Sequence, residues 1–203
     1  MMKICLINIK RIPKCIYSYW FKLLSKESQC RINKKTNIQA RKLSAVGEIL
    51  AIKMIAFKSL KNFKDLRFIR NECKKPFIEN TSYDFNISHS GNIVVCVISK
   101  KPIGIDIEII KSVPFNLVFK VCSDEELEYI FCSDKEKSTF LTKKETIRFF
   151  KVWTSKEAYL KCIGIGINGN IKQVNSQYSN DFSKKQVNIF NRYIISICEK
   201  NNI

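Results

Sequence analysis

The sequence predicts an α+β fold. Segments typical of strands and of helices follow one another without the regular β-α-β alternation of a parallel sheet. Apolar runs bounded by glycine, proline and lysine indicate strands, and two Ser/Thr-x-x-Glu spacings indicate helix starts. At 203 residues the chain can form one large domain or two half-sized ones, and either can bury a sizeable core.

The first half opens with a predicted strand, because KICLINI alternates between apolar and polar residues. A helix is predicted from Leu43 to Phe57, where apolar residues recur at helical spacing. The face expected to pack on a sheet contains Val46, Ile49, Leu50, Met54 and Phe57. A polar, basic segment, KNFKDLRFIRNECKKP, follows this helix.

Two apolar strands are predicted on either side of Pro102. The run IVVCVIS is bounded by Gly91 and by lysines, which is typical of a buried strand. The second run, IGIDIEII, begins just after the proline. The turn SKKP therefore allows the two strands to pair as an antiparallel hairpin.

Two helices and a closing strand are predicted in the second half. The helix starts have the spacing of capping boxes, formed by Ser123 with Glu126 and by Thr142 with Glu145. The second helix is expected to run from about Lys143 to Cys162 and to end at Gly164, because glycine tolerates the left-handed conformation of a C-cap. The segment RYIISIC predicts the last strand.

Charge, cysteine content and hydropathy limit the possible classes. The net charge of +18 indicates an acidic partner, either nucleic acid, anionic lipid, an acidic protein or a phosphorylated ligand, although a coding bias towards Lys, Ile and Asn is an alternative explanation. The nine cysteines include no C-x-x-C pair, so we expect reduced core residues. No apolar run approaches the roughly 20 residues of a membrane span, and no signal peptide is evident, so we expect a cytoplasmic protein.

Two acidic residues lie on one face of the strand PIGIDIEII. Side chains alternate along a strand, so four isoleucines face one side while Gly104, Asp106 and Glu108 face the other. Both carboxylates can then reach one hard cation, and Gly104 leaves room for a ligand. The alternative is a half-exposed strand whose polar face is simply wet.

A third acid lies on the second predicted helix. In FFKVWTSKEAYLK, Trp153, Glu157 and Lys161 are four residues apart and share one face. Glu157 and Lys161 could form an ordinary surface ion pair, but the aromatic residue on the same stripe favours a partly buried face.

Three segments together resemble the Sfp-type 4′-phosphopantetheinyl transferases. They are NISHSG (Asn86 to Gly91), PIGIDIE (Pro102 to Glu108) and WTSKEAYLK (Trp153 to Lys161), in that order. The resemblance implies Mg²⁺-dependent transfer of 4′-phosphopantetheine from coenzyme A to a serine of an apo acyl or peptidyl carrier protein, with release of 3′,5′-ADP. It also implies that Asp106, Glu108 and Glu157 hold Mg²⁺.

The resemblance implies roles for further residues. Lys161 would stabilise charge on the phosphate, and Lys156 would contact phosphate. Glu157, or a water held by the metal, would accept the serine proton. The residues implied to hold the phosphates of coenzyme A are Lys75, Ser88 and His89, and Arg41 is the candidate for an arginine that the family places where this chain has Leu43.

The resemblance also implies an architecture of two similar α+β halves, residues 1–101 and 102–203, with coenzyme A in the cleft between them and a monomeric protein. Carrier proteins have acidic recognition helices, so the segment from Lys58 to Lys75 is a candidate docking surface. Two alternatives remain open at this point. One is a non-catalytic basic protein that binds RNA or an acidic partner, and the other is a transferase that binds coenzyme A without catalysis.

Overall fold

The computed structural model describes residues 2–70, 75–132, 139–165, 171–175 and 179–201. The chain divides into two compact units, Met1–Ile103 (unit 1) and Gly104–Ile203 (unit 2). Helices and strands occur in both units, which confirms the α+β fold class. The domain boundary predicted at residues 101 and 102 stays a prediction.

Unit 1 contains a three-stranded antiparallel sheet. Its helices are α1 (Lys14–Leu23), α2 (Lys26–Asn33) and α3 (Ile38–Ser59). Its strands are β1 (Lys3–Asn8), β2 (Phe68–Arg70), β3 (Pro76–Ile78), β4 (Asp84–Ser90) and β5 (Ile93–Ser99). The sheet has the order β1-β5-β4, and β2 pairs separately with β3.

Helix α3 packs on this sheet through the predicted face. The Asn37 side chain caps its first turn by accepting a hydrogen bond from the Ala40 amide at 3.0 Å. Val46 and Ile49 are buried in the core together with Phe85 of β4 and Val94 of β5.

One residue of the predicted face, Phe57, lies outside this core, and that part of the prediction is wrong. Phe57 is 77% exposed. The reason is length, since 22 residues of helix span about 33 Å, whereas the seven-residue strands β4 and β5 span about 23 Å. The last turn of α3 therefore extends beyond the sheet and ends at Leu60, which has a left-handed backbone (φ 55°).

Unit 2 contains a second sheet and the long helix predicted from its capping box. Its strands are β6 (Ile103–Ile109), β7 (Phe182–Ile189) and β8 (Tyr193–Lys200), and its helices are α4 (Phe115–Val121), α5 (Asp124–Phe131) and α6 (Lys143–Ile163). The sheet order is β6-β8-β7. The hairpin predicted across Pro102 is therefore wrong, because β5 pairs with β1 and β4 while β6 lies beside β8.

Both predicted capping boxes are confirmed. The Ser123 amide donates to Glu126 Oε2 at 2.8 Å, and the Thr142 amide donates to Glu145 Oε2 at 2.7 Å. Gly164 adopts the left-handed conformation (φ 79°) at the end of α6, as expected. Among the described helices, none is long and apolar enough to cross a membrane.

Of the eight described cysteines, four are buried, three are exposed, and Cys5 is intermediate. Core positions are occupied by Cys96, Cys122, Cys162 and Cys198, and burial raises the pKa of the Cys122 thiol to about 12. The exposed positions are Cys15, Cys30 and Cys132, for which the expectation of core residues is wrong. The eight cysteines that the structure describes are all free thiols, while Cys73 lies outside the described residues.

Helix α6 lies directly on β6 at Gly104. A Cβ atom at this position would lie 2.0 Å from the Ala158 carbonyl oxygen and 2.5 Å from the Cys162 amide nitrogen. The predicted room for a ligand is therefore filled by the backbone of α6. Only glycine permits this approach, which brings the polar face of β6 under the helix.

Replacing Gly104 by alanine tests this contact. Since rigid backbone atoms would have to move, we expect Gly104→Ala to lower the free energy of unfolding by at least about 3 kcal/mol in urea titrations. Gly47→Ala is the matched control in α3, where the added Cβ would meet the Ile87 side chain at 2.8 Å. There the change should stay within about 1 kcal/mol, because alanine also favours the helix. Equal losses in the two variants would contradict the close backbone approach.

Candidate functional site

The two acidic residues of β6 lie on the strand face that also carries Gly104. Asp106 is 3% exposed, which excludes the alternative of a solvent-wetted polar face. Its Oδ1 atom accepts a hydrogen bond from Lys161 Nζ of α6 at 2.6 Å. Glu108 is half-buried.

Glu157 of α6 is electrostatically coupled to both of these acids. Its side chain is almost fully buried, and burial raises its pKa to about 7. Lys161 lowers this pKa, whereas the negative charges of Asp106 and Glu108 raise it. Glu157 is therefore not part of an ordinary surface ion pair. Its electrostatic interactions join it to Asp106, Glu108 and Lys161, which is the grouping that the sequence predicts.

The residue types of this cluster fit a divalent cation. Three carboxylates supply the hard oxygen donors that Mg²⁺ prefers. Glu157 Oε1 is buried and has no hydrogen-bond partner within the described part of the chain, so it is an acceptor that a cation can use. The cluster is still not a closed ligand set, because no three His, Cys, Asp or Glu side chains among the described residues are grouped closely enough to hold a metal ion.

Lys156, predicted to contact phosphate, has a different environment. It is 0% exposed, and its ammonium group forms an ion pair with Glu126 Oε2 at 2.6 Å. It also donates to the carbonyl oxygens of Val121 at 2.8 Å and Ile171 at 3.0 Å. These three contacts use the three donors of the group. The structure therefore gives Lys156 a structural role, and we do not retain it as a phosphate ligand.

Glu126 was recognised from the sequence only as a capping residue. Its Oε2 atom accepts both from the Ser123 amide and from Lys156, so one carboxylate starts α5 and anchors α6. A lysine between apolar positions of a helix is the sequence signal for such a partner, because a buried cation requires a counter-charge. Nothing in the sequence identifies which of the 18 acids supplies it.

A network of polar side chains holds α6 on the neighbouring strands. Gln186 of β7 donates through Nε2 to the Lys151 carbonyl at 2.8 Å and lies 2.7 Å from Ser196 Oγ of β8. Ser196 Oγ is also 2.7 Å from Thr154 Oγ1 of α6. The helix that carries Glu157 is thus fixed by polar contacts on the side of β7 and β8.

The residues predicted to hold phosphates in unit 1 lie in and around β4. The segment before the buried strand reads as a turn in the sequence, but Ser88 and His89 belong to strand β4 itself, and the chain turns only at Gly91. As neighbours in a strand they point to opposite faces, and Ser88 is buried whereas His89 is exposed. Lys75 forms an ion pair with Asp84 at 3.2 Å.

Arg41 lies in the first turns of α3, where it donates through Nε to the Lys35 carbonyl oxygen at 2.5 Å. Leu43, which occupies the position of the family arginine, is buried. Arg41 therefore stays the candidate for phosphate contact, since its side chain is partly exposed in the first turn of α3.

The ion pair of Lys156 and Glu126 can be tested by a double-mutant cycle. Lys156→Met removes the ammonium group that pairs with the buried Glu126 carboxylate, so we expect a loss of about 3 to 5 kcal/mol in the free energy of unfolding. Adding Glu126→Leu removes the uncompensated charge and should recover a large part of that loss. Additive losses in urea titrations would show that the two residues are not coupled.

Glu157 gives stability a dependence on pH. The pKa of Glu157 is about 7 in the folded protein, whereas an exposed glutamate, as in the unfolded chain, has a pKa of 4.5. Between these two pH values the folded protein holds a proton that the unfolded chain releases. Ionisation thus opposes folding, and the stabilisation present below about pH 4.5 is lost as pH rises through 7. In buffer containing a chelator, Glu157→Gln should flatten the fall of the thermal midpoint between pH 5 and 7. Glu128 is exposed, so the thermal midpoint of the Glu128→Gln control should fall with pH as it does in the unmodified protein.

Comparison with known proteins assigns both units to one family. Residues 102–198 match the 4′-phosphopantetheinyl transferase superfamily, and residues 13–101 match the N-terminal region described as "4′-phosphopantetheinyl transferase, N-terminal". The 4′-phosphopantetheinyl transferase gsp of Aneurinibacillus migulanus is 34% identical over 77% of the chain and 62% of its own length. The 4′-phosphopantetheinyl transferase Sfp of Bacillus subtilis is 32% identical over 61% of the chain and 52% of its own length.

A third relative, the L-aminoadipate-semialdehyde dehydrogenase-phosphopantetheinyl transferase of Schizosaccharomyces pombe, is 32% identical over 50% of the chain and 42% of its own length. The chain spans less than two thirds of the length of these curated relatives. The two family matches nevertheless cover most of unit 1 and nearly all of unit 2. The chain belongs to the 4′-phosphopantetheinyl transferase superfamily and resembles its Sfp-type members.

Proposed function

We propose that this protein transfers 4′-phosphopantetheine from coenzyme A to a serine of an apo acyl or peptidyl carrier protein, with release of 3′,5′-ADP. The observation that carries this proposal is the buried carboxylate of Glu157, which interacts with Asp106, Glu108 and Lys161 within the family match. A cluster of acids with one lysine suits a reaction at a diphosphate, where negative charge has to be neutralised.

Asp106, Glu108 and Glu157 are the residues that would hold Mg²⁺. When bound, the ion would neutralise the diphosphate of coenzyme A and favour displacement at phosphorus. The fit rests on the carboxylate donors and on the buried, unbonded Oε1 atom of Glu157.

Lys161 and Glu157 have distinct parts in the proposed transfer. The serine oxygen forms a bond to the β-phosphorus while the bond from that phosphorus to the oxygen of 3′,5′-ADP breaks. Glu157, or a water held by the metal, is the candidate to accept the serine proton. The Lys161 side chain is 27% exposed, unlike that of Lys156, and can reach the phosphate to stabilise its charge.

In unit 1, we propose that Arg41, Lys75, Ser88 and His89 contact the phosphates of coenzyme A. The support is the family resemblance together with their charges and donors, since cations and hydroxyl groups bind phosphate. Because the two strand residues point to opposite faces, we expect exposed His89 to contribute more than buried Ser88.

Mass spectrometry tests the transfer directly. The protein is incubated with coenzyme A, Mg²⁺ and a panel of apo-carrier proteins, and each carrier is examined for the added phosphopantetheine mass. We expect Asp106→Asn and Glu157→Gln each to lower kcat/KM by about 100-fold or more, because each removes a charge at the reacting phosphate.

Glu128→Gln is the control, since it removes an exposed carboxylate of α5 and should keep full activity. Circular dichroism melts show whether the inactive variants remain folded. Absence of any modified carrier with the unmodified protein would refute the proposed activity, and full turnover by folded Glu157→Gln would refute the assignment of this residue.

A further inference from the structure

Unit 2 contains a cavity of about 260 Å³ between α5, α6 and β7. None of the described residues that line it belongs to the acidic cluster of Asp106, Glu108 and Glu157, so the cavity is separate from the candidate site. Its volume lies below the roughly 300 to 1,000 Å³ of sites that take drug-sized ligands. A ligand of this cavity would therefore be a small molecule.

Helical and strand spacing bring the lining side chains to one place. Glu125 and Tyr129 of α5 are four residues apart and share a helix face. Lys184 and Gln186 of β7 are two residues apart and point to the same side of the strand. Gln186 Nε2 donates to the Lys151 carbonyl oxygen of α6 at 2.8 Å, which fixes β7 against the helix at this level. Lys151 and Lys184 therefore both lie at the cavity.

The charges of the cavity are not balanced. Its lining contains the carboxylates of Glu125 and Glu126 and the ammonium groups of Lys151 and Lys184. Glu126 is 6% exposed and forms an ion pair at 2.6 Å with Lys156, which is fully buried and does not line the cavity. The charge of Glu126 is thus already neutralised. Glu125, which is exposed, is left as one negative charge against two positive charges.

The two lysines of the lining repel each other. Desolvation lowers the pKa of Lys184, Glu126 raises it, and the like charge of Lys151 lowers it. Lys151 forms neither an ion pair nor a side-chain hydrogen bond with the residues that the structure describes. Two ammonium groups that repel each other in a confined space favour an anion between them, because the anion removes the repulsion.

Phosphate is the anionic group that suits this lining best. A phosphate monoester carries a charge of about −1.5 to −2 near pH 7, which matches two ammonium groups, whereas a single carboxylate carries one charge. Each ammonium group can donate several hydrogen bonds to phosphate oxygens. Tyr129 and Asn175 add a hydroxyl group and an amide to the lining. A neutral or cationic ligand would leave the repulsion between the lysines unchanged.

We propose that Lys151 and Lys184 bind a small phosphate-bearing anion in the cavity between α5, α6 and β7. The ligand is inorganic phosphate or a phosphate monoester much smaller than coenzyme A. This site is independent of the proposed function, since its residues lie outside the acidic cluster and outside unit 1. Because the anion would join α6 to β7, its binding should stabilise the folded protein.

Thermal unfolding measures the affinity for phosphate. The thermal midpoint is followed against inorganic phosphate at constant ionic strength, with saturating coenzyme A and without Mg²⁺. Coenzyme A occupies the phosphate contacts proposed in unit 1, so the remaining shift reports the cavity. We expect the midpoint to rise with phosphate, and we expect Lys151→Gln and Lys184→Gln each to weaken the apparent affinity by about tenfold. No rise with the unmodified protein would overturn the proposal.

Lys185→Gln is the matched control for Lys184→Gln. Lys185 is exposed on the opposite face of β7, so its substitution makes the same change in net charge away from the cavity. The affinity for phosphate should then change by less than about twofold. Glu125→Gln should strengthen binding about twofold, because it removes a negative charge from the lining. Equal weakening by Lys184→Gln and Lys185→Gln would show a general effect of net charge and refute the site.

A ligand series distinguishes the two sources of phosphate. Glycerol phosphate and succinate are compared with inorganic phosphate in the same assay. Binding of glycerol phosphate at least as tight as that of phosphate identifies a phosphate monoester, and a preference for phosphate identifies the free ion; both results agree with the proposal. Succinate, a dicarboxylate, should bind at least about fivefold more weakly. If succinate binds as tightly through the same two lysines, the assignment to phosphate is wrong.

Chemical labelling locates the site without any substitution. Pyridoxal phosphate carries a phosphate group and an aldehyde, so a neutral lysine amine can attack the aldehyde carbon and form an imine with loss of water. Borohydride reduces the imine, and mass spectrometry of peptides identifies the lysine. At limiting reagent we expect Lys184 to be labelled before Lys185, because its lowered pKa provides more neutral amine, and inorganic phosphate should suppress this labelling. Equal labelling of the two lysines would contradict the site.

Discussion

Helix α6 can lie on β6 only because residue 104 has no side chain, and the candidate site is a consequence of that contact. A Cβ atom there would stand 2.0 Å from the Ala158 carbonyl oxygen. The close approach buries Asp106, brings it within 2.6 Å of Lys161, and desolvates Glu157 enough to raise its pKa to about 7. Packing and acid-base chemistry are therefore set by the same backbone geometry.

Two lysines of α6, five residues apart, illustrate how burial decides the use of a charge. Lys156 is fully buried, and its ammonium group donates to the Glu126 carboxylate and to two carbonyl oxygens. Lys161 keeps part of its side chain at the surface and shares a hydrogen bond with Asp106. The first holds α4, α5 and α6 together, and the second remains available for chemistry.

Local signals were sufficient where one short segment determines the structure. The capping box at Thr142 and the left-handed Gly164 fixed the ends of α6, and alternation placed Asp106 on the correct face of β6. Long-range contacts had no such signal. The pairing of β6 with β8 and the choice of Glu126 as the partner of Lys156 depend on the folded chain, because many strands and acids fit the same local pattern.

The division of the cysteines also determines where the protein can be modified in the laboratory. Buried thiols such as Cys162 on α6 are shielded from solvent, so among the described thiols alkylating reagents would reach Cys15, Cys30 and Cys132 first. Two of these lie on the short helices of unit 1, and the third follows α5. A maleimide dye can therefore be attached without altering the helix that carries Glu157, which makes the native sequence suitable for fluorescence without removing its thiols.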